Sequence, residues 1–219
     1  MHVVIAGGHG KIGLRLTALL AGRGDVVTGV IRNPDHRADV ERAGATAAVV
    51  DLEQAVSADL AEHLRGADAV VFAAGAGPGS GAERKDSVDR AAAVLLADAA
   101  SIAGVRRYLL VSSPNVDAEP DPAADEVWAA YLRAKKAAED AIVATDLEWT
   151  ILRPGSLTDD PGIGKVLLTE PPTGSGPVTR DDTAAVLAAL LDAPGTAGKI
   201  LELREGETDV VAAVTEYTS

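Results

Sequence analysis

An α/β chain doubly wound about a parallel sheet, in a single domain spanning 1–219, is the fold these 219 residues predict. Short β-branched runs alternate with longer Ala- and Leu-rich segments, the short runs are nearly continuous in apolar residues, and the first leads into a glycine-rich turn. Nearly continuous apolar runs are the mark of strands buried on both faces. Strand–helix alternation at this spacing gives parallel strands joined by right-handed crossovers.

Strands are expected at His2–Ala6, Val26–Ile31, Ala47–Val50, Ala69–Ala73, Tyr108–Ser112 and Thr150–Arg153, with a later one at Lys199–Leu203. Helical patterns fall near 11–23, 35–43, 54–65, 83–103, 125–145 and 181–192. Two stretches rich in Pro, Gly and acidic residues, 114–126 and 155–177, interrupt this rhythm. Both follow the C-terminal ends of expected strands, where ligands sit in open α/β sheets. They are expected to be loops and small C-terminal elements that shape the substrate side.

A formal net charge of −13 argues against a nucleic-acid surface, which needs a Lys/Arg stripe. No cysteine is present, so disulfides and thiol catalysis are excluded. The four histidines, His2, His9, His36 and His63, lack metal-ligand spacing, and no metal is expected. No apolar run approaches the roughly 18 residues that span a bilayer. A cytoplasmic protein, monomeric or homodimeric, that acts on a small-molecule substrate away from membranes is the expectation.

Glycine inside a strand or helix costs about 0.5–1 kcal/mol relative to alanine, yet "IAGGHGKIG" holds four in residues 5–13. In a strand–turn–helix context, Gly7 allows a tight turn, Gly10 lets backbone approach a pyrophosphate, and Gly13 lets the helix pack closely on the strand. Lys11 and Ile12 open that helix, whose unpaired N–H groups and positive dipole end suit phosphates. A merely tight strand-to-helix turn is the plainer alternative.

The G-x-x-G-x-x-G spacing resembles the extended and atypical branches of the short-chain dehydrogenase/reductase superfamily, which have a Rossmann-like fold. On that resemblance the second strand, ending "VIRNP", places Arg32 and Asn33 at the adenine ribose. A guanidinium there pairs bidentately with a 2′-phosphate and favours NADP, with NAD possible; Arg37 is a candidate to assist or replace it. The resemblance gives Asp51 and Leu52 the bracketing of the adenine, the alternative for Asp51 being an N-cap of the next helix. It also gives Ala73, Ala74 and Gly75 the small-residue turn over the cofactor.

"YLLVSSPN" ends a strand in Ser112 and Ser113, and "YLRAKKAAED" carries Tyr131 and Lys135 as Y-x-x-x-K. Positions four apart share a helix face. Lys135 falls in a stripe with Trp128, Tyr131, Ala138 and Ile142, and an inward lysine needs a partner, such as a ribose hydroxyl. By resemblance, Ser113, Tyr131 and Lys135 form the catalytic set: Tyr131 gives a proton beside the lysine charge, and Ser113 orients the substrate oxygen. The "LRPG" stretch resembles the segment whose backbone near Pro154 and Gly155 meets the nicotinamide. In size the chain is similar to the small NmrA-like and biliverdin-reductase-B-like proteins. The implied function is NADPH-dependent reduction of a small carbonyl, quinone or related acceptor. An NADP(H)-sensing regulator without turnover is the competing class. A nucleotide-sugar epimerase or dehydratase is weaker, because the stretch after Arg153 is short for a sugar-binding domain.

Overall fold

Along His2–Ala6, Val3 and Ile5 point to one face and Val4 and Ala6 to the other, and all four are completely buried. Residues that alternate in direction while remaining apolar require cover on both faces of the sheet. The computed structural model, which describes residues 1–77, 79–120, 125–172, 174 and 176–218, supplies that cover.

The chain runs β1 (His2–Ala6), α1 (Lys11–Gly22), β2 (Val26–Ile31), α2 (Arg37–Arg42), β3 (Thr46–Val49), α3 (Ser57–Leu64) and β4 (Ala69–Phe72). Next come α4 (Ala82–Arg84), a π-helical segment Lys85–Ala91, α5 (Ala92–Ala103), β5 (Arg107–Val111), α6 (Glu126–Val143) and β6 (Glu148–Pro154). The last part contains β7 (Ser156–Thr158), β8 (Lys165–Thr169), β9 (Pro177–Thr179), α7 (Arg180–Leu191), β10 (Lys199–Glu205), β11 (Thr208–Asp209) and α8 (Val210–Thr215).

The main sheet has the order β11-β8-β10-β6-β5-β4-β1-β2-β3. All pairs from β10 to β3 are parallel, as the apolar runs predict. The order reverses between β1 and β4, and a crevice opens outside strand C-termini at such a switch point. Ala6 is level there with Val30 on one side and Phe72 on the other. On one face Val3, Ile5 and Leu109 pack with Leu16 and Leu20 of α1 and Leu187 and Leu190 of α7. On the other, Val4, Val70 and Phe72 pack with Leu60 and Leu64 of α3, Leu96 of α5 and Ile142 of α6. Each such fully buried leucine contributes about 1.5–3 kcal/mol.

The expected strands and helices are present with ends that differ by at most three residues, and His2–Ala6 and Val26–Ile31 match at both ends. The largest correction is to 155–177, which is not one loop. Lys165–Thr169 ("KVLLT") enters the main sheet antiparallel to β10, and β7 pairs with β9 in a small second sheet. Val166 is completely buried, so this short apolar run belongs to the core rather than to a substrate loop. The expected helix 83–103 carries the π-helical segment at its start, and β11 with α8 closes the chain beyond the last expected strand. Residues 121–124 of the expected 114–126 loop lie outside the described residues, as do 173 and 175 of the second stretch. Among the described residues no helix is long and apolar enough to cross a membrane.

Candidate cofactor and catalytic site

The crevice is built first from glycines. Gly7 follows β1 with φ +85°, and a Cβ there would lie 2.7 Å from the Ala74 backbone. A Cβ on Gly13 would lie 2.4 Å from the Gly7 carbonyl oxygen, and one on Gly10 would lie 3.0 Å from the same oxygen. Gly10 N–H donates to that oxygen at 2.8 Å. Gly13 is thus required by the turn's own packing, and Gly10 sits close against the same carbonyl. Gly8, outside the expected cofactor set, meets β2 through Gly29: a Cβ on Gly8 would lie 2.7 Å from Gly29 Cα. No side chain caps the start of α1, which leaves its first N–H groups for an anion.

A cavity of about 300 Å³ opens between the ends of β1, β2, β3 and β4. It brings together Gly7, Gly10, Arg32, Asn33, Asp51, Leu52, Ala73, Ala74 and Gly75 of the expected cofactor set, and adds His9, His36, Glu53 and Arg84. Arg32 Nη1 lies 2.9 Å from Glu53 Oε2, and Arg84 Nη2 lies 2.9 Å from the same oxygen. Ser87 Oγ donates to Glu53 Oε1 at 2.7 Å. Hydrogen bonds from Arg84 and Ser87, aided by the Arg32 charge, hold the Glu53 carboxyl below the usual range. Asp51 accepts from Glu53 N–H at 3.0 Å. It does not cap α3, whose cap position is Val56; the next-helix alternative is thereby corrected to a local turn. Arg37 donates to the Ala47 carbonyl at 3.1 Å and is absent from the cavity wall.

Behind Ala76, the last small residue of the wall's turn, a residue the sequence reading missed links the turn to α6. Asp89 Oδ2 accepts from Ala76 N–H at 3.2 Å, and Asp89 Oδ1 lies 3.3 Å from Lys135 Nζ. Their side chains are 1% and 5% exposed. Lys135 also donates to the Val111 carbonyl at 3.0 Å. Asp89 and the Val111 carbonyl thus supply the partners that its inward position requires. Tyr131 lies one turn earlier, with its ring centroid 5.9 Å from Lys135 Nζ and 5.3 Å from Lys85 Nζ. Trp128 stacks on it at 5.2 Å and 28° but is 51% exposed, which removes it from the expected buried stripe. Ser112 and Ser113 are buried at the end of β5, and Ser112 Oγ has no hydrogen-bond partner.

One turn beyond Lys135 on the same face of α6 is Glu139, which accepts from Arg153 Nε at 2.9 Å. Arg153 is 1% exposed and also reaches Asp117 Oδ1 at 3.1 Å. Burial would lower its pKa, but the bonds to Glu139 and Asp117 raise it. This cluster fixes the Lys135 face of α6 against β6 and the chain after β5. Pro154 ends β6, and Gly155 is glycine because a Cβ would lie 2.1 Å from the Gly176 carbonyl oxygen. Lys11 pairs with Asp159 at 2.5 Å, and Ile12 packs in the core. Lys11, Ile12, Gly13, Ser112, Pro154 and Gly155, and the expected catalytic residues Ser113, Tyr131 and Lys135, are not on the wall of the described cavity.

A turn that a Cβ would fill and an uncapped helix start beside the cavity fit the pyrophosphate of a nicotinamide dinucleotide. Residues 7–194 match the profile of a family described as NAD(P)H-binding. A Bacillus subtilis protein named as an uncharacterised sugar epimerase is 33% identical over 215 residues, covering 98% of this chain and 99% of its own. A Bacillus halodurans structure, assigned provisionally to the NAD-dependent epimerase/dehydratases, superposes with a TM-score of 0.91 at 30% identity, covering 99% of both chains. ChuY, an anaerobilin reductase from Escherichia coli O157:H7, has a TM-score of 0.77 at 25% identity, covering 95% of this chain and 99% of its own. With its switch-point cavity and glycine turn, the chain belongs to this NAD(P)H-binding family of oxidoreductase- and epimerase-like Rossmann proteins.

Proposed function

We propose that the protein is an NADPH-dependent reductase of a small carbonyl, quinone or related acceptor. The observation that carries this reading is the buried Lys135 below Tyr131, joined through Asp89 to the cavity wall at Ala76. When bound, the nicotinamide supplies the hydride. The Gly7–Gly10 turn and the start of α1 would hold the pyrophosphate, Arg32 the 2′-phosphate, and Lys135 a ribose hydroxyl. Tyr131 donates its hydroxyl proton to the acceptor oxygen as hydride reaches the acceptor carbon, and Ser113 orients that oxygen. The half-exposed Trp128 ring stacked on Tyr131 gives a flat acceptor a surface to lie against.

A small acceptor is favoured over a nucleotide sugar because the chain beyond Arg153 is used in completing the sheet through β8, β10 and β11 and in packing α7 and α8 against it. Calorimetric titration with NADPH and NADH, followed by an NADPH-consumption screen over carbonyls, quinones and nucleotide sugars, tests the reading. Preferred NADPH binding with turnover of a carbonyl or quinone is expected. Arg32→Gln should weaken NADPH by about 1.5–3 kcal/mol, as for one hydrogen bond to a charged group, and spare NADH. Tight binding without turnover would replace the reading with a redox sensor, and turnover of a nucleotide sugar alone would replace it with an epimerase.

A further inference from the structure

The wall of the cavity holds a pair of histidines that the proposed chemistry does not use. His9, in the glycine turn, and His36, in the 3₁₀ turn Pro34–His36 after β2, stack with ring centroids 3.6 Å apart and planes at 12°. Both line the cavity beside Arg32 and Asn33. His9 Nε2 lies 2.9 Å from Asp39 Oδ2, whereas the His36 ring nitrogens have no hydrogen-bond partner among the described residues.

The fixed charges on this wall cancel: Arg32 and Arg84 stand against Asp51 and Glu53. The chain as a whole carries −13, which repels a polyanionic dinucleotide. Protonation of His9 and His36 is therefore the way this wall gains net positive side-chain charge. We propose that His9 and His36, with Arg32, form a proton-dependent subsite for a phosphate monoester, and that NADP binding takes up a proton there. The inference rests on the NADP reading above and adds a mechanism to it.

Asp39 Oδ2 stands against His9 Nε2, and hydrogen bonds from His9 and Arg42 hold its carboxyl below the usual range. Asp35 is a further carboxylate on the His36 turn, and Arg37 is drawn away by the Ala47 carbonyl and Glu41. Two imidazolium rings stacked face to face repel, so the doubly charged pair becomes favourable only when an anion joins it. A bound phosphate therefore raises the affinity of the pair for protons, and by linkage low pH tightens phosphate binding. Affinity should fall as pH rises above the imidazole range, near 6.5 when unperturbed. The ester's own second ionisation, near pH 6, acts in the opposite direction and is nearly complete by about pH 7.

Calorimetric titration of NADP⁺ and NAD⁺ at pH 7.0 and 8.5, in buffers of different ionisation enthalpy, measures both affinity and proton uptake. For wild type we expect NADP⁺ to bind with proton uptake at pH 7.0 and to weaken by up to about tenfold per pH unit, the limit for one linked proton. NAD⁺ binding should be independent of pH. His36→Gln, on a surface turn, should lose the proton uptake and the pH dependence of NADP⁺ affinity; His9→Gln should also lose them. A constant NADP⁺ affinity, the same linkage with NAD⁺, or linkage surviving in both variants would overturn the proposal. Preferred NADP⁺ binding without linkage overturns the histidine subsite alone. Equal affinity for the two cofactors without linkage overturns the NADP reading as well.

Discussion

Asp89 and Lys135 form an ion pair, 3.3 Å apart and almost wholly buried, between the π-helical segment after β4 and the helix after β5. The i→i+5 winding of Lys85–Ala91 inserts an extra residue into the turn, and Asp89 within it is turned inward at 1% exposure. Removing one member of a buried pair leaves an uncompensated charge and costs about 3–5 kcal/mol. Asp89→Leu should lose stability of that order in urea unfolding, and Asp89→Leu/Lys135→Met should recover part of it. A double variant no more stable than Asp89→Leu would show that the two side chains are not coupled.

Gly13 and Gly22 lie in one helix with opposite surroundings. A Cβ on Gly13 meets the Gly7 carbonyl at 2.4 Å, whereas one on Gly22 meets nothing within 4 Å. Gly13→Ala should destabilise by about 1–3 kcal/mol, as overpacking does, and lose cofactor affinity with the displaced turn. Gly22→Ala should stabilise by about 0.5–1 kcal/mol and leave binding unchanged. Thermal unfolding of the pair checks the signs; equal melting temperatures would refute the packing argument for Gly13.

Glu53 is the carboxylate shared by Arg32 and Arg84, and its pKa is lowered by the Arg84 and Ser87 hydrogen bonds. A carboxyl with a depressed folded-state pKa stabilises above its unfolded value, near 4.3, and loses that contribution as pH falls through the folded value. Wild type should therefore lose more stability than Glu53→Gln when acidified from about pH 6 to about pH 3. Parallel loss in both proteins would show that the cluster is electrostatically neutral to folding. In Glu53→Gln the two guanidinium groups lack their counter-charge, so NADPH binding should tighten and become more sensitive to salt.

The parallel half of the sheet was legible because its signals are local. The apolar runs, the glycine turn and the Y-x-x-x-K spacing each report on a few consecutive residues. Lys165–Thr169 was hidden among Pro and Gly because its place in the sheet depends on pairing with β10, over thirty positions away. Asp89, Glu139 and Arg153 were missed for a related reason: a carboxylate in a helical sequence reads as a solvated group until the fold sets a cation opposite it. Trp128 erred in the other direction, since helical spacing placed an aromatic ring in the apolar stripe and the structure leaves it half exposed. The resemblance reached the cavity through Arg32, Asp51 and Ala73–Gly75, yet Glu53, immediately after Asp51 and Leu52, was passed over although it is the residue that neutralises Arg32.

On the proposed mechanism Tyr131 gives up a proton beside Lys135, and neither residue lines the described cavity. Pre-steady-state and steady-state NADPH oxidation by wild type and Tyr131→Phe, with an acceptor identified in the screen, tests this most directly. The ring packing on Trp128 is kept in Tyr131→Phe and the hydroxyl is removed. NADPH affinity should be retained while the rate falls by about 10²–10⁴, the contribution of a positioned general acid. Equal rates in the two proteins would contradict the account and assign the proton to another donor.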